Sequence, residues 1–207
     1  MIKIYGRANS INVRKVLWIA DEIGIAYSRE DWGRGYRPLD DAAFHAINPF
    51  GAVPVIDDDG YILRESNTIV RYLAETRART DLYPTEPRQR YAIDALMDWG
   101  ATDLSWGVRP VFIGLHLKLP AMANPALIEA GMTDWTARMR LLDAHLARGS
   151  DHVAGKAFTV ADVPIGLIVN RWFSITFDKP DLPAVDAYYA RLKQRPAFLA
   201  HGANGTA

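Results

Sequence analysis

Residues 48–75 read NPFGAVPVIDDDGYILRESNTIVRYLAE, and the fold turns on how this run divides. Asn48-Pro49-Phe50-Gly51 is a strong turn signal. Val53-Pro54-Val55-Ile56 and Tyr61-Ile62-Leu63 flank DDDG, which reads as a hairpin. Glu65 to Glu75 then reads as a helix. Proline inside a strand is costly, because it has no amide to give the ladder. Pro54 therefore sits either on a trans edge or bulge, or in a cis bond, which costs only about 0.5–1 kcal/mol before proline. A cis bond would turn the Val53 amide and carbonyl outward, toward a peptide-like ligand. Glu65-Ser66 opens the helix, where first-turn amides lack internal acceptors and can receive a carboxylate. Capping alone explains Ser66 but gives Glu65 no specific partner.

Upstream, Ile2 to Tyr5 is a short strand candidate. The stretch ANSINVRKV at 8–16 follows it, and a helix is expected from about Asn12 to Ile23, with Val13, Val16, Leu17, Ala20 and Ile23 at helical spacing. Gly24 ends it. Ala26 to Asp31 can form a second strand. WGRGYRP at 32–38 is rich in turn formers, and a short helix is expected near Leu39 to Ala46. The order is β-α-β-α-β-β-α over residues 1–78. Residues 79–87, RTDLYPTEP, read as a linker, and 88–201 as an all-helical unit. Its expected helices are Arg88 to about Leu117, Pro125 to Leu146, Val160 to Phe173 and Pro183 to Lys193. The tail HGANGTA at 201–207 is expected to fray. In FTVAD at 158–162, Thr159 is expected to accept from the Asp162 amide, and the Asp162 carboxylate to reach back to the Thr159 amide.

The 207 residues suit one large domain or two small ones, and a hydrophobic share of 49% supports a real core. Lysine plus arginine equals aspartate plus glutamate at 24 each, so no basic excess recruits nucleic acid or anionic lipid. The absence of cysteine removes disulfides, thiolate catalysis by the chain itself and cysteine-ligated metals. The five histidines show no metal-ligand spacing, and no phosphate-binding glycine loop occurs. MIKIYGR is no signal-peptide core, and no run is long enough for a membrane span, so a cytoplasmic protein is expected.

SINVRKV at 10–16, NPFGAVPVI at 48–56 and ILRESNTIVRYLAE at 62–75, in this order and spacing, resemble the cytosolic glutathione transferase family. FTVADVP at 158–164 resembles its buried capping motif, and the serine start resembles the serine-using theta-like and phi-like branches. The resemblance runs from Ile2 to about Phe198. It implies an α/β thioredoxin-like domain followed by an all-α domain, with glutathione as co-substrate and a homodimer as the assembly. It implies a cis Pro54, with Val53 on the cysteinyl backbone of glutathione, Glu65 on the ligand ammonium and Ser66 on its α-carboxylate. Ser10 would donate to the glutathione sulfur as main thiolate donor, with Asn12 second, although both residues are also good helix caps. Arg34 or Arg37, and less directly His45, would meet the glycyl carboxylate. A hydrophobic electrophile would lie against the first long helix, at Trp106, Arg109 and Phe112, residues that also suit a core stripe. Arg14 could guide an anionic ligand or sit on a solvated helix face. A glutathione-binding module with little turnover is the competing reading. Peroxidase, dehalogenase and isomerase chemistry fit the same site.

Overall fold

The computed structural model describes residues 1–120 and 123–207. Four strands form one sheet in the order β2-β1-β3-β4, with β1 Ile2–Tyr5, β2 Tyr27–Glu30, β3 Val55–Asp58 and β4 Tyr61–Arg64. β1 runs parallel to β2 and antiparallel to β3, and β3 and β4 form the hairpin, with Ile56 opposite both Ile4 and Leu63. The strand period of two sorts the side chains by face. Ile4 and Ile56 join the core under α1 (Ile11–Glu22) and α3 (Ser66–Thr76). Tyr5 and Val55 join Trp32 and Phe44, the latter from α2 (Ala42–Ile47), on the other face. This is the expected thioredoxin-like arrangement.

The rest is helical: α4 Pro87–Ala101, α5 Asp103–Trp106, α6 Val108–Pro110, a π-helical turn at Val111–His116, then α7 Pro125–Leu146, α8 Asp162–Ser174, α9 Pro183–Leu192 and α10 Pro196–His201. Proline opens α4, α7, α9 and α10, where its missing amide and fixed φ do no harm. α8 is buried all round from Asp162 to Trp172, the state of an apolar helix inside a bundle. Trp18 of α1 meets Phe158 and Phe198 at ring-centroid distances of 5.7 and 4.7 Å, which joins the sheet unit to the helical unit.

Four expectations need correction. The single helix expected over 88–117 is broken at Thr102, whose φ and ψ are −104° and −89°, and again by Gly107 and Pro110 before the π turn. Pro110 has no amide for the preceding turn, which explains why the regular ladder stops there. The capping signal is only half formed. The Asp162 carboxylate accepts from the Thr159 amide at 2.8 Å, the Val153 amide at 3.0 Å and the Tyr188 hydroxyl at 3.0 Å. The Asp162 amide, however, donates to the Thr159 carbonyl, and the Thr159 hydroxyl instead approaches the carboxylate at 3.4 Å. Burial, reinforced by Asp162, holds the Tyr188 hydroxyl well above its ordinary pKa, so it remains a donor.

The tail does not fray. Arg14 is neither solvated nor turned to a ligand: it is buried and binds the tail. Its Nε donates to the His201 carbonyl, its Nη2 to the Gly202 carbonyl at 2.6 Å, and its Nη1 to the Ala207 oxygen at 3.2 Å. Asn170 Nδ2 donates to the Thr206 carbonyl at 3.0 Å. Burial brings the Arg14 guanidinium down to about 10, and the carbonyl oxygens are its compensation.

Candidate active site

The site is built where α1 and α3 begin, facing α6, the π turn and α8. Ser10 is the N-cap residue of α1, with extended backbone at φ −81° and ψ 125°, but its side chain makes no cap hydrogen bond. It is buried and lines a cavity of about 360 Å³ together with Arg34, Phe112, His116, Arg171 and Ala207. Two residues on, Asn12 lines a second cavity of about 650 Å³ together with Lys15, Glu65, Ser66, Arg109 and Arg171. Ile11, Arg34, Phe112 and Arg171 belong to both linings and stand between the two spaces.

Glu65 precedes α3 with φ at +66°, the left-handed region that non-glycine residues rarely adopt. Its side chain makes no cap bond to α3. The strained backbone is held in place by β4 on one side and by the buried Ser66 on the other, the pattern of residues fixed for a function. Lys15 Nζ donates to Ser66 Oγ and to Asn67 Oδ1, both at 3.3 Å. Ser66 Oγ in turn lies 3.5 Å from Asn12 Oδ1. Asn12, Lys15, Ser66 and Asn67 thus form one polar seam between α1 and α3. Burial pushes the Lys15 ammonium down to about 8, with Arg171 adding to the fall and Glu65 opposing it.

Val53–Pro54 is a cis bond at the approach to β3. Asn48 braces the turn before it, with Nδ2 donating to the Ala52 carbonyl at 2.7 Å and Oδ1 accepting from the Phe50 amide at 3.1 Å. Val53 is half-buried against the core, and neither it nor Pro54 is in the linings of the two cavities. Among the described residues no group of three or more histidines and acids is placed to hold a metal.

The chain was compared with known proteins. Its residues 4–81 match the family described as glutathione S-transferase, N-terminal domain. Over 199 residues it is 36% identical to glutathione S-transferase GstB of Escherichia coli strain K12, spanning 95% of each chain. The chain belongs to the glutathione S-transferase family. Among solved glutathione S-transferases, a theta-class enzyme of Xanthomonas axonopodis pv. citri with glutathione bound superposes with a TM-score of 0.90 at 38% identity, covering 97% of this chain and 96% of that one. The apo form of that transferase gives a TM-score of 0.82 at 35% identity, covering 97% and 95%.

These cavities gather some sequence-expected residues and leave out others. Asn12, Arg34, Glu65, Ser66, Arg109 and Phe112 line the larger cavity. Ser10 lines the smaller one. His45 faces a third, open depression beside Arg34 and Phe50. Besides Val53 and Pro54, two candidates fall outside the linings of all three. Arg37 is drawn back onto the sheet unit, paired with Glu30 at 2.5 Å and stacked over Trp32 at 3.8 Å. Trp106 is 75% exposed, because the break after α5 turns it away from the face that Arg109 and Phe112 share. Lys15 and Arg171 were not singled out from the sequence. Arg171 stacks over Phe112 with Cζ 3.7 Å from the ring centroid, and Phe112 stacks in turn on His116 at 5.5 Å. Phe112 and His116 lie on the π turn, an irregularity that often marks functional sites. The only sequence signal for these two cations was their place in otherwise apolar helices.

Proposed function

We propose that glutathione lies along the α1–α3 seam, with its γ-glutamyl end at Glu65 and Ser66 and its sulfur at the turn that carries Ser10 and Asn12. The chain is a glutathione S-transferase, an enzyme that takes glutathione as co-substrate. The observation that carries the pose is the convergence of Asn12, Lys15, Glu65 and Ser66 on one cavity. Glu65 receives the ligand ammonium. Ser66, whose oxygen accepts from Lys15 and whose hydroxyl donates to Asn12 Oδ1 at a long 3.5 Å, turns that proton to the α-carboxylate when glutathione binds, and the α3 N-terminus adds a favourable dipole. The Val53 backbone pairs with the cysteinyl unit, and Arg34 meets the glycyl carboxylate. A hydrophobic electrophile enters beside Arg109 and Phe112. Residues 1–78 form the glutathione-holding domain, 79–87 the linker and 88–201 the electrophile-holding domain. The assembly is a homodimer and the compartment the cytoplasm. No helix among the described residues is long and apolar enough to cross a membrane.

Chemistry then follows from anion stabilisation. A free thiol of this kind has a pKa near ~8.5, so only a few per cent ionises at neutral pH. Lowering it by ~2 units requires ~2.7 kcal/mol of preference for the thiolate. One hydrogen bond to a charged acceptor supplies roughly 1.5–3 kcal/mol. The Ser10 hydroxyl is the main donor: it is buried beside the cavity and makes no bond to the amides of α1. The thiolate then attacks the electrophilic atom, the new carbon–sulfur bond forms, and the displaced electron pair leaves with the leaving group or protonates on the acceptor.

The test is an ultraviolet titration of bound glutathione, with calorimetry and turnover. Ser10→Ala should raise the thiol pKa and lower the rate by roughly one to two powers of ten, each 1.36 kcal/mol being tenfold. Asn12→Ala should do less. Ser66→Ala should weaken glutathione binding more than it slows the saturated reaction. A pKa shift in Asn12→Ala and not in Ser10→Ala would transfer the donor role to Asn12. Glutathione affinity unmoved by Ser66→Ala would remove the pose. Binding without turnover across electrophiles and hydroperoxides would favour a regulatory module.

A further inference from the structure

Lys15 brings a cation to the α1–α3 seam. It is only 8% exposed, yet it lines the larger cavity. Two oxygens hold its Nζ, Ser66 Oγ and Asn67 Oδ1, each at 3.3 Å. The Asn67 amide is fixed in this sense, because its Nδ2 donates to the Met97 carbonyl of α4 at 3.2 Å. Among the described residues no carboxylate makes an ion pair with Lys15. An ammonium has three donors and no acceptor, so Ser66 Oγ can only accept from it. That commits the Ser66 hydroxyl to donating toward its other side. There it meets Asn12 Oδ1 at 3.5 Å in this structure, and the γ-glutamyl carboxylate in the proposed pose.

Ser66, and not the cation, places that anion. What Lys15 adds is a charge one hydroxyl away. A hydroxyl whose oxygen accepts from a cation is polarised into a stronger donor. Opposite charges a few ångströms apart also attract more strongly in a partly buried site than in water. The charged groups that share the cavity lining are Glu65 before α3, Arg71 on α3, Asp98 on α4, Arg34 after β2, Arg109 on α6 and Arg171 on α8. Arg71 is paired with Asp94 at 3.3 Å, and Arg14, beside Lys15 on α1, faces the tail. Burial and then Arg171 favour the neutral amine and Glu65 the ammonium, which brings Lys15 down to about 8 in the unliganded protein.

Resting on that glutathione pose, we infer that Lys15 is a positioning residue of the transferase: acting through Ser66, its ammonium fixes the γ-glutamyl carboxylate and links glutathione binding to its own protonation. No covalent bond to carbon or sulfur is made or broken at Lys15. A bound carboxylate favours the ammonium, so the ligand raises the Lys15 pKa above its free value. Affinity is then full below about pH 8 and declines as pH rises through that value.

S-Methylglutathione tests this, because it has no thiol to titrate in the same range. By calorimetry the wild type should bind it about tenfold tighter than Lys15→Met near pH ~7, the effect of a one-unit rise in pKa, and the ratio should close toward unity near pH ~10. Lys15→Arg, which keeps its charge, should hold its advantage throughout. Near pH ~8, buffers of different ionisation heat should show the wild type taking up about 0.4 proton more than either variant, the ligand's own amine contributing equally to all three. In a Ser66→Ala background, Lys15→Met should change affinity less than about twofold, because the route through Ser66 is gone. Where Lys15→Met fails to fold, the proton count against Lys15→Arg decides alone. A wild-type to Lys15→Met ratio flat with pH, equal proton uptake, or an undiminished Lys15 effect in Ser66→Ala overturns the inference and leaves Lys15 a packing residue. In each of those cases a loss of affinity in Ser66→Ala leaves the pose standing. Affinity unmoved by Ser66→Ala removes the pose first.

Discussion

Lys15 is flanked by the apolar Val13, Val16, Trp18 and Ile19, and that company is what buries it. The whole run from Val13 to Ala20 is buried, because α1 is covered by α3 on one side and by α8 and α10 on the other. From the sequence Arg14 suits a ligand guide or a solvated face, and Lys15 carries no signal, since the layers that cover them come from α3, some fifty positions on, and from α8 and α10, more than a hundred away. Glu65, Ser66, Ser10 and Asn12 were legible for the opposite reason: each sits at a helix start, and helix starts announce themselves locally. The buried ammonium has a measurable consequence. Its folded pKa of about 8 lies below the ordinary value of 10.5. Between those values the unfolded chain holds a proton that the folded chain has released, so Lys15 makes stability rise with pH across that window. Below about pH 8 both states are charged and the full burial penalty is present. Relative to Lys15→Met, the wild type should therefore gain up to a few kcal/mol as pH rises from 8 toward 10.5. Urea unfolding of both proteins at intervals across that range measures it, and parallel curves would contradict it.

Helices and strands were legible wherever the pattern stayed local. The hairpin at 55–64, the α1 register and the α7 span all follow from spacing and end signals in their own residues. The region 102–116 was not, because apolar spacing continues through it while the backbone is redirected at Thr102, Gly107 and Pro110. The redirection is a packing matter between two elements. Gly107 and Gly131 bring the end of α5 against α7 so closely that a Cβ on Gly131 would stand 2.6 Å from Pro110 Cγ and 2.9 Å from the Gly107 carbonyl. Neither contact can relax without moving backbone. Gly131→Ala should push α6 and the π turn away from α7, at a cost of roughly 1–3 kcal/mol in stability. Since Phe112 rides on that turn, acceptor KM should rise more than glutathione KM. Denaturant unfolding and two-substrate kinetics check both halves, and an unchanged unfolding midpoint would show that the contact is softer than it looks.

At the scale of the molecule, the change from a mixed pattern to a helical one divided the chain correctly into a sheet unit and a helical remainder, but it gave no sign of how the two lock together. Aromatic side chains remain exposed on both: Phe50 and Tyr61 on the first, Tyr91 on the second. A two-fold assembly would cover surfaces of this kind, and isologous dimers are the commonest closed form. Sedimentation equilibrium at micromolar concentration should give twice the mass of 23.1 kDa, and a monomer throughout would reject the dimer. The lock within one chain is the grip of Arg14 on residues 201–207, across 187 positions at the nearest. On the ribosome this grip sets an order of events. Arg14 emerges early, and the carbonyls it binds follow 187 or more positions later, about 10–40 s at ordinary rates of elongation. Until then α1 carries a cation without acceptors in the middle of its apolar run, and the turn that holds Ser10 lacks one wall of its cavity. The nascent sheet unit must wait, half-finished, for residues 201–207 before the cavity beside Ser10 is walled in.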